Sequence, residues 1–271
     1  MFYPVKLDLS DTSRIEQALV VLNPAESRRL LAKTVASLPE VTSAYANGRL
    51  AVCTGSTCAF ILEELTGEKI PPYRYSVGIV ADGLLTRTCK DDREETRFFV
   101  KGERVSQDAT PFYDTFEKGD VAIKGANAVD PRGNAGVLCS NNRAGTMSAL
   151  QRFVISRGLS VITPVGLEKL VPCVEEAAVG WGQLSISRSM GLPCFLYPLC
   201  QSLVVTEIEA LGILAGVKGR LVSSGGVGGS EGAVVLLLEG YKENIDKAWG
   251  VVESVKGEPP IEVVRHDLPR S

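Results

Sequence analysis

The chain has 271 residues, a formal net charge of −3, 45% hydrophobic and 23% charged residues, a balance typical of a globular α/β protein of one large domain or a domain plus a small appendage. The sequence has no cluster of basic residues, and this argues against nucleic-acid binding. No apolar run reaches about 18 residues and the N-terminus lacks the pattern of an export signal, so we expect a cytoplasmic protein with no membrane span.

Two helix-start patterns open the chain. Residues 13–16 have the form of a capping box and predict a helix through residues 18–22. Residues 23–26 repeat the pattern, with Asn23 as N-cap and Pro24 as the first helical residue, and predict a second helix.

Short apolar segments bounded by turn residues predict the central strands of a parallel sheet that is covered on both faces. These segments are residues 50–53, 77–81, 121–123 and 159–163. Residues 90–107 are charged and alternating, with a turn at Lys101 and Gly102, and they predict an exposed hairpin. A helix is predicted from Thr146 to a stop at Gly158.

The pattern changes near residue 190. The order becomes strand, helix, strand, strand, helix, at residues 195–199, 206–216, 220–224, 233–238 and 242–255. This order is compatible with a ferredoxin-like module. We therefore predict a Rossmann-like, mostly parallel α/β domain with helices on both faces over residues 1–189, and a ferredoxin-like α+β module over residues 190–271. The glycine run 225–230 joins two strands, so it predicts a hairpin loop rather than a phosphate loop.

Polar residues follow the predicted strands at positions typical of a ligand crevice. A glycine, flanking hydroxyls and the free amides of a following helix can together hold an anion. Such crevices lie outside the carboxyl ends of strands in open α/β sheets. The candidate ligand-binding residues are Thr54, Gly55, Ser56, Thr57, Gly125, Asn127, Gly145 and Thr146.

Each of these residues also has a purely structural interpretation. Ser56 or Thr57 could only cap a helix, and Asn127 could only hold a turn. Lys124, at the end of the 121–123 strand, could be a surface lysine in a salt bridge or a solvent-facing ligand group.

The candidate catalytic residues are Asp82, Glu168 and Lys124. Asp82 follows the 77–81 strand, while Glu168 and Lys169 follow the 159–163 strand, so these side chains could face the same crevice. An enzyme of this kind would use Asp82 or Glu168 as base and Lys124 to stabilise developing negative charge. The single histidine, His266, lies in the polar tail and argues against a histidine base.

The seven cysteines show no C-x-x-C spacing, which argues against a disulfide framework and a zinc site. Cys58 and Cys139 lie in the candidate ligand loops, but no base accompanies either, so a structural role is favoured over a nucleophile. No motif predicts a metal or a cofactor.

Two motifs carry a family resemblance. The segment CTGSTCAFILEEL resembles the helix-start motif of type A ribose-5-phosphate isomerases and the similar loop of sugar-responsive repressor effector domains. The segment DVAIKGANAVDPRGNAGVLCSNNRAGT is similar to a loop of methylthioribose-phosphate isomerases and initiation-factor relatives. Across residues 24–170 the chain therefore resembles the superfamily of sugar-phosphate isomerases, glucosamine-phosphate deaminases and CoA transferases, and the resemblance implies a phosphate cradle on a Rossmann-like sheet.

One departure from that superfamily bears on the chemistry. Asn127 stands where the resemblance implies a catalytic aspartate, and an amide cannot act as a general base. We expect the protein to bind a phosphorylated small metabolite, such as a sugar phosphate or nucleotide-like molecule, as an isomerase or transferase. The alternative is a ligand-sensing or assembly protein that keeps the anion cradle without catalytic carboxylates. A homodimer is compatible with either interpretation.

Overall fold

The computed structural model describes residues 1–267, and glycine, proline and polar caps bound most of its elements. The helices are α1 (Pro24–Ser37), α2 (Pro39–Asn47), α3 (Ser56–Thr66), α4 (Ala109–Asp114), α5 (Gly145–Arg157), α6 (Val174–Ala178), α7 (Glu207–Ala215) and α8 (Lys242–Glu253). The strands are β1 (Ile15–Leu22), β2 (Arg49–Val52), β3 (Gly78–Ala81), β4 (Leu84–Thr88), β5 (Arg97–Val100), β6 (Glu103–Val105), β7 (Val121–Ile123), β8 (Ala128–Val129), β9 (Ala135–Cys139), β10 (Ser160–Pro164), β11 (Phe195–Leu199), β12 (Ser202–Val205), β13 (Lys218–Ser224), β14 (Val234–Tyr241) and β15 (His266–Asp267).

A six-stranded mixed sheet forms the centre of the protein, in the order β12-β10-β7-β2-β5-β6. Strands β12, β10, β7 and β2 are parallel, whereas β5 and β6 join antiparallel at one edge. The predicted strands at residues 50–53, 121–123 and 159–163 are thus confirmed as neighbours in the parallel part of one sheet. Their carboxyl ends meet at the same edge, which positions the loops that follow them.

The central strands are covered on both faces, as their continuous apolar sequences predict. Leu50 and Val52 of β2 pack in a cluster with α1, α3, α7 and α8. Ala51 and the following Cys53 point the other way and pack with α4 and α5. This alternation follows from the two-residue period of a strand.

The helix signals are confirmed at several predicted positions. The side chain of Asn23 accepts hydrogen bonds from the amides of Ala25 and Glu26, and Glu26 closes the capping box of α1. Thr206 and Glu209 form the equivalent box on α7. Helix α5 ends at Gly158 as predicted, in a left-handed conformation that favours glycine.

The helix predicted over residues 18–22 is wrong, because these residues belong to strand β1. In β1 the buried residues Val20 and Leu22 alternate with the exposed Leu19 and Val21, a period of two rather than 3.6. The polar pattern before it serves a short turn, in which Asp11 accepts a hydrogen bond from the amide of Ser13. Pairing with β14 over the whole of β1 overrides the local helix signal.

Residues 78–81 do form a strand, β3, but the prediction that it belongs to the central sheet is wrong. Strand β3 forms an antiparallel hairpin with β4 outside the six-stranded sheet, with Val80 exposed to solvent. The predicted hairpin within residues 90–107 is confirmed as β5 and β6, which turn at Lys101 and Gly102. Its first strand is buried against β2 rather than exposed, because Phe98 and Phe99 pack into the core on opposite faces.

The sheets do not follow the predicted division between residues 1–189 and 190–271. Strand β1 pairs with β14 in a three-stranded sheet ordered β1-β14-β13, whereas β12 pairs with β10 in the six-stranded sheet. Strand β11, predicted to begin the C-terminal module, pairs with β9 in a third sheet. These pairings cross residue 190 because the apolar strands on either side of it are each other's hydrogen-bonding partners. Residues 268–271 of the predicted module lie outside the described residues.

Strands β13 and β14 form the antiparallel hairpin that was predicted, with the glycine run 225–230 in its loop. Helix α8 covers the buried face of this sheet through Ile245, Ala248 and Val252. Within residues 1–267, the helices are all too short or too polar to cross a membrane.

Candidate functional site

A cavity of about 540 Å³ lies beside the carboxyl ends of β2, β7 and β10. Its volume falls in the range of small-molecule sites, which is about 300–1,000 Å³. The structure brings nine of the eleven candidate residues to its walls: Thr54, Gly55, Ser56, Thr57, Lys124, Gly125, Asn127, Gly145 and Thr146. The loops after two neighbouring parallel strands and the starts of two helices therefore converge on one space.

The start of α3 forms one wall of this cavity. Gly55 is the N-cap residue of α3, and its own amide donates a hydrogen bond to the carbonyl oxygen of Tyr75 at 2.7 Å. Within residues 1–267 no side chain caps this helix, so its first amides keep their donor capacity and their partial positive charge.

The start of α5 forms a second wall, and it lacks a side-chain cap in the same way. Ala144 and Gly145 both adopt left-handed backbone conformations, which turn the chain sharply from β9 into the helix. By contrast, α1 and α7 begin away from the cavity and each carry a complete capping box. Among the described residues, the two helix starts that face the cavity thus have amides without a side-chain partner, as do the starts of α2, α4, α6 and α8 elsewhere.

Lys124 is buried, with 8% of its surface exposed, and this corrects the expectation of a solvent-facing lysine. Its Nζ donates a hydrogen bond to the carbonyl oxygen of Thr54 at 2.7 Å, which ties the end of β7 to the loop after β2. Among the described residues, no carboxylate lies within salt-bridge distance of Lys124. The ammonium group is therefore a buried positive charge held at the cavity wall.

Two further cations line the cavity, Arg28 from α1 and Lys169 after β10. Lys169 follows a predicted strand and could be anticipated from that position, whereas Arg28 was missed. Arg28 lies inside an ordinary amphipathic helix, and only the packing of α1 brings it to the strand ends. Its Nε is buried and has no hydrogen-bond partner among the described residues.

Glu168 turns away from the cavity that its neighbour Lys169 lines. Its carboxylate folds back over Gly166, where a Cβ atom would collide with it, and lies 3.4 Å from the Nζ of Lys169. The carboxyl group of Glu207 is fully buried nearby, and one of its oxygens accepts a hydrogen bond from the amide of Leu167 at 2.9 Å. Burial, followed by the negative charge of Glu168, raises the pKa of Glu207 to about 7.

Asp82 does not reach the cavity. It occupies the turn between β3 and β4 with a left-handed backbone, and 77% of its side chain is exposed. Its carboxylate lies 3.4 Å from Nε2 of His266 in the C-terminal segment. The expectation that Asp82 and Glu168 face the crevice is wrong for both residues. Asp82 lies in the turn of the β3–β4 hairpin, outside the central sheet, and the carboxylate of Glu168 folds over Gly166.

Asn127 lines the cavity and also makes hydrogen bonds that stabilise the β8–β9 hairpin. Its Oδ1 accepts a hydrogen bond from the amide of Leu138 at 3.0 Å, and its own amide donates to Gly136. The side chain therefore ties the start of β8 to β9, which is a structural role, whereas the turn between these strands is held by Asp130 through Arg132 and Asn134.

Two thiols in or close to the cavity have a raised pKa, Cys139 in its wall and Cys58 at the start of α3. Burial raises the pKa of Cys58 to about 12 and also raises the pKa of Cys139, while the nearby charge of Lys124 only partly opposes the effect. A thiol with a raised pKa is a poor nucleophile at neutral pH, which supports the structural interpretation of both cysteines.

The C-terminal strap, residues 258–267, crosses the cavity on its outer side. Ile261 and Val263 supply apolar lining there. Glu258 pairs with Arg29 at 2.8 Å at one end of the strap, and Arg265 pairs with Asp92 at 3.2 Å near the other. The sequence alone predicts only a polar tail here, because the ion-pair partners of the strap, Arg29 and Asp92, lie far away in the chain.

Within residues 1–267, no three His, Cys, Asp or Glu side chains gather in a way that could hold a metal ion. Comparisons with protein-family models, with curated proteins and with solved structures find no match to this chain.

Proposed function

We propose that the protein binds a phosphorylated small metabolite in the cavity at the ends of β2, β7 and β10. The observation that carries this proposal is the charge of the cavity wall. Arg28, Lys124 and Lys169 line it, and the described lining residues include no carboxylate, although the whole chain has a net charge of −3. Three cations collected in one concave space on an acidic protein favour an anionic ligand.

The geometry around Lys124 favours phosphate over other anions. A phosphate group has several acceptor oxygens and more than one negative charge, and it suits a site built from helix amides, hydroxyls and an ammonium group. The uncapped starts of α3 and α5 supply the amides, while Ser56, Thr57 and Thr146 supply hydroxyls. The buried ammonium of Lys124 gains a counter-ion when the ligand binds, which offsets the cost of its burial.

The cavity favours a protein that binds the metabolite over one that uses a carboxylate to catalyse its conversion. An isomerase of the expected kind needs a general base within hydrogen-bond reach of the ligand. The two proposed bases do not line the cavity, since Asp82 is at a hairpin turn and the carboxylate of Glu168 folds back over Gly166. We therefore favour a ligand-sensing or assembly protein over a sugar-phosphate isomerase.

The finer description of the fold belongs to the same proposal. The four parallel strands with helices on both faces support a Rossmann-like architecture, and the β1-β14-β13 sheet covered by α7 and α8 supports a ferredoxin-like unit. A divergent relationship to sugar-phosphate isomerases and CoA transferases is supported by the placement of the 54–57 and 124–127 loops at neighbouring strand ends.

A thermal-shift screen tests the proposal with sugar phosphates, nucleotides and CoA esters, each beside its dephosphorylated analogue. We expect phosphorylated compounds to raise the melting temperature in a concentration-dependent way, because a ligand that binds only the native state stabilises it. Equal stabilisation by the dephosphorylated analogues would overturn the phosphate assignment.

A further inference from the structure

The cavity has an apolar side that the proposed phosphate site does not use. It comes from two segments outside the central sheet, the stretch around β3 and the C-terminal strap, which supply Val77, Ile79, Ile261 and Val263. These segments belong to one unit, because β15 at the end of the strap pairs with β4 in the sheet ordered β15-β4-β3. Within the described residues, neither segment contributes a charged side chain to the cavity wall.

This apolar side begins next to the start of α3. The carbonyl oxygen of Tyr75 accepts the hydrogen bond from the amide of Gly55, the N-cap of α3, at 2.7 Å. Val77 follows Tyr75 by two residues, which span at most about 7 Å. The hydroxyl of Ser76 between them donates to the carbonyl oxygen of Pro72 at 2.8 Å, so it already has an acceptor inside the protein. A ligand held at the amides of α3 would therefore meet apolar side chains directly beyond its phosphate.

The apolar side chains are partly exposed, whereas polar groups of the phosphate site are buried. Val77 and Val263 have 40% and 38% of their surface exposed, although both line the cavity. Thr57 at the start of α3 and Lys124 after β7 are buried. Folding alone favours the reverse arrangement, since apolar surface in water is costly. A ligand that covers the two valines removes this cost.

The cavity is larger than a phosphate group requires, and its apolar side is already in place. A volume of about 540 Å³ suits a whole small molecule, for which apolar walls cover most of the ligand and a few polar groups fix its orientation. Ile261 packs against the core cluster that α1 and α3 share. Ion pairs of Glu258 and Arg265 fix the strap on either side of it.

We propose that the ligand of this cavity is a phosphate monoester with an apolar body, and that Val77, Ile79, Ile261 and Val263 bind the apolar part. This inference rests on the proposed phosphate site, whose cations it leaves in place. A hydroxyl group that enters an apolar wall loses its hydrogen bonds to water, so the wall disfavours a polyhydroxylated body. The ligand class is therefore a short alkyl or aryl phosphate rather than a sugar phosphate.

Titration calorimetry on the full chain tests this class with matched probes. Butyl phosphate and erythritol 4-phosphate have the same carbon chain and phosphate, and they differ only in their hydroxyl groups. We expect butyl phosphate to bind about 10-fold or more tightly, because its chain leaves water without losing hydrogen bonds. From ethyl to butyl to hexyl phosphate, the affinity should rise about 2- to 4-fold for each methylene that the wall buries.

A combined variant, Val77→Thr with Val263→Thr, assigns the preference to the apolar side. It keeps the shape of both side chains and should reduce the preference for butyl phosphate to about 3-fold or less, while the affinity for erythritol 4-phosphate stays unchanged. Val264→Thr is the matched control, because Val264 is an exposed neighbour of Val263 that does not line the cavity. If the combined variant melts early, each single variant should still lose part of the preference.

A membrane lipid offers the same chemistry from a second source, since phosphatidic acid is a phosphate monoester on an apolar body. Flotation with vesicles of phosphatidylcholine, with and without phosphatidic acid, distinguishes the two sources. We expect the protein to float with neither, because the apolar side lies within a cavity of small-molecule size. Binding to phosphatidic-acid vesicles without binding of butyl phosphate would overturn the assignment to a free monoester.

The outcomes separate this inference from the proposed function. Equal affinity for butyl phosphate and erythritol 4-phosphate, lost in Lys124→Met, would overturn the apolar subsite and leave the phosphate site standing. A preference that survives the combined variant, or that Val264→Thr abolishes equally, would likewise overturn the subsite. Binding of butan-1-ol as tight as that of butyl phosphate, or no binding of any probe, would overturn both.

Discussion

Lys124 is the residue on which the proposed function depends most directly, since its buried ammonium group makes its one described hydrogen bond to the carbonyl oxygen of Thr54. We expect Lys124→Met to weaken phosphate binding by about 1.5–3 kcal/mol, the contribution of a hydrogen bond to a charged group. The melting temperature should stay the same or rise, because the substitution removes a buried charge and keeps an apolar chain of similar length.

Titration calorimetry with butyl phosphate and a melting curve without ligand measure the two effects of this substitution. Lys118→Met, at an exposed position in the turn before β7, is the control. Unchanged affinity together with a lower melting temperature would make Lys124 a structural residue and remove the main support for a phosphate site.

Glu207 is expected to make the stability of the protein depend on pH. Its pKa is raised from 4.5 to about 7, first by burial and then by Glu168. The native state therefore keeps a proton between these values that the unfolded chain releases, so this contribution to stability is complete below pH 4.5 and is lost as the pH rises to about 7. Glu207→Gln cannot ionise and should be more stable than the wild type at pH 8, by about 1–3 kcal/mol.

Urea unfolding of Glu207→Gln and the wild type at pH 5 and pH 8 measures this difference. The other polar groups at the pair are Ser27, Arg28 and Lys169. Glu103→Gln, at an exposed position of β6, is the control and should follow the wild type. Parallel pH profiles for Glu207→Gln and the wild type would show that Glu207 is not the group that titrates.

Residues that follow a predicted strand could be assigned to the cavity from the sequence, as Lys124 and Thr54 were. Arg28 and Glu207 could not, since each lies in a helix whose local pattern is ordinary and reaches the site region only through the packing of that helix. Asp82 shows the opposite case. Its position after a predicted strand would place it at the cavity only if that strand joined the central sheet. Strand β3 instead pairs with β4 in a separate hairpin, and Asp82 lies in the turn of that hairpin.

At the scale of elements, α1 depends on its capping box for a defined start. Asn23→Ala removes the acceptor for two amides and should lower the free energy of unfolding by about 1 kcal/mol. Urea unfolding monitored by circular dichroism measures the loss. Asn47→Ala, at the exposed end of α2, is the control and should not be destabilising. Equal effects at the two positions would mean that the box adds nothing to α1.

Helix α3 has no side-chain cap, so here the prediction concerns the addition of a cap rather than its removal. Gly55 has an extended backbone that other residues can adopt, with room for a Cβ atom at 3.6 Å from the sulfur of Cys58. Gly55→Asp should cap α3 and raise its stability by a few tenths of a kcal/mol, yet weaken phosphate binding by about 10-fold or more, because the carboxylate occupies the same amides. Gly55→Ala tests for a steric effect alone and should retain most of the affinity, as calorimetry would show.

Element predictions succeeded where local signals and tertiary packing agree. The caps of α1 and α7 and the glycine stop of α5 were predicted correctly, since each is satisfied by residues within a few positions. Strand β1 was missed because its partner β14 lies at the far end of the chain, and its capping-box pattern points to a helix. The same long-range pairing is why the division at residue 190 does not match the sheets.

At the scale of the whole molecule, one apolar cluster joins the six-stranded sheet to the three-stranded sheet β1-β14-β13. It contains Val20 and Leu236 of the three-stranded sheet together with Leu50 and Ile123 of the six-stranded sheet. We therefore expect both sheets to unfold in one cooperative transition.

The two tryptophans of the chain make this expectation measurable. In Trp181→Phe, the fluorescence of Trp249 on α8 reports the unfolding of the β1-β14-β13 sheet. Far-ultraviolet circular dichroism reports the unfolding of the whole chain. The urea midpoints from the two signals should coincide. Separate midpoints would show that the three-stranded sheet unfolds as an independent unit.

The pairing of β1 with β14 also has a consequence for how the chain acquires its structure. Gln17 on β1 and Glu239 on β14 are hydrogen-bonded although they are 222 residues apart. During synthesis at about 5–20 residues per second, β1 therefore waits tens of seconds for its partner strand. Its apolar residues stay exposed throughout that interval, and such a long loop closure slows folding. The newly made chain should accordingly need protection from aggregation until its last third has left the ribosome.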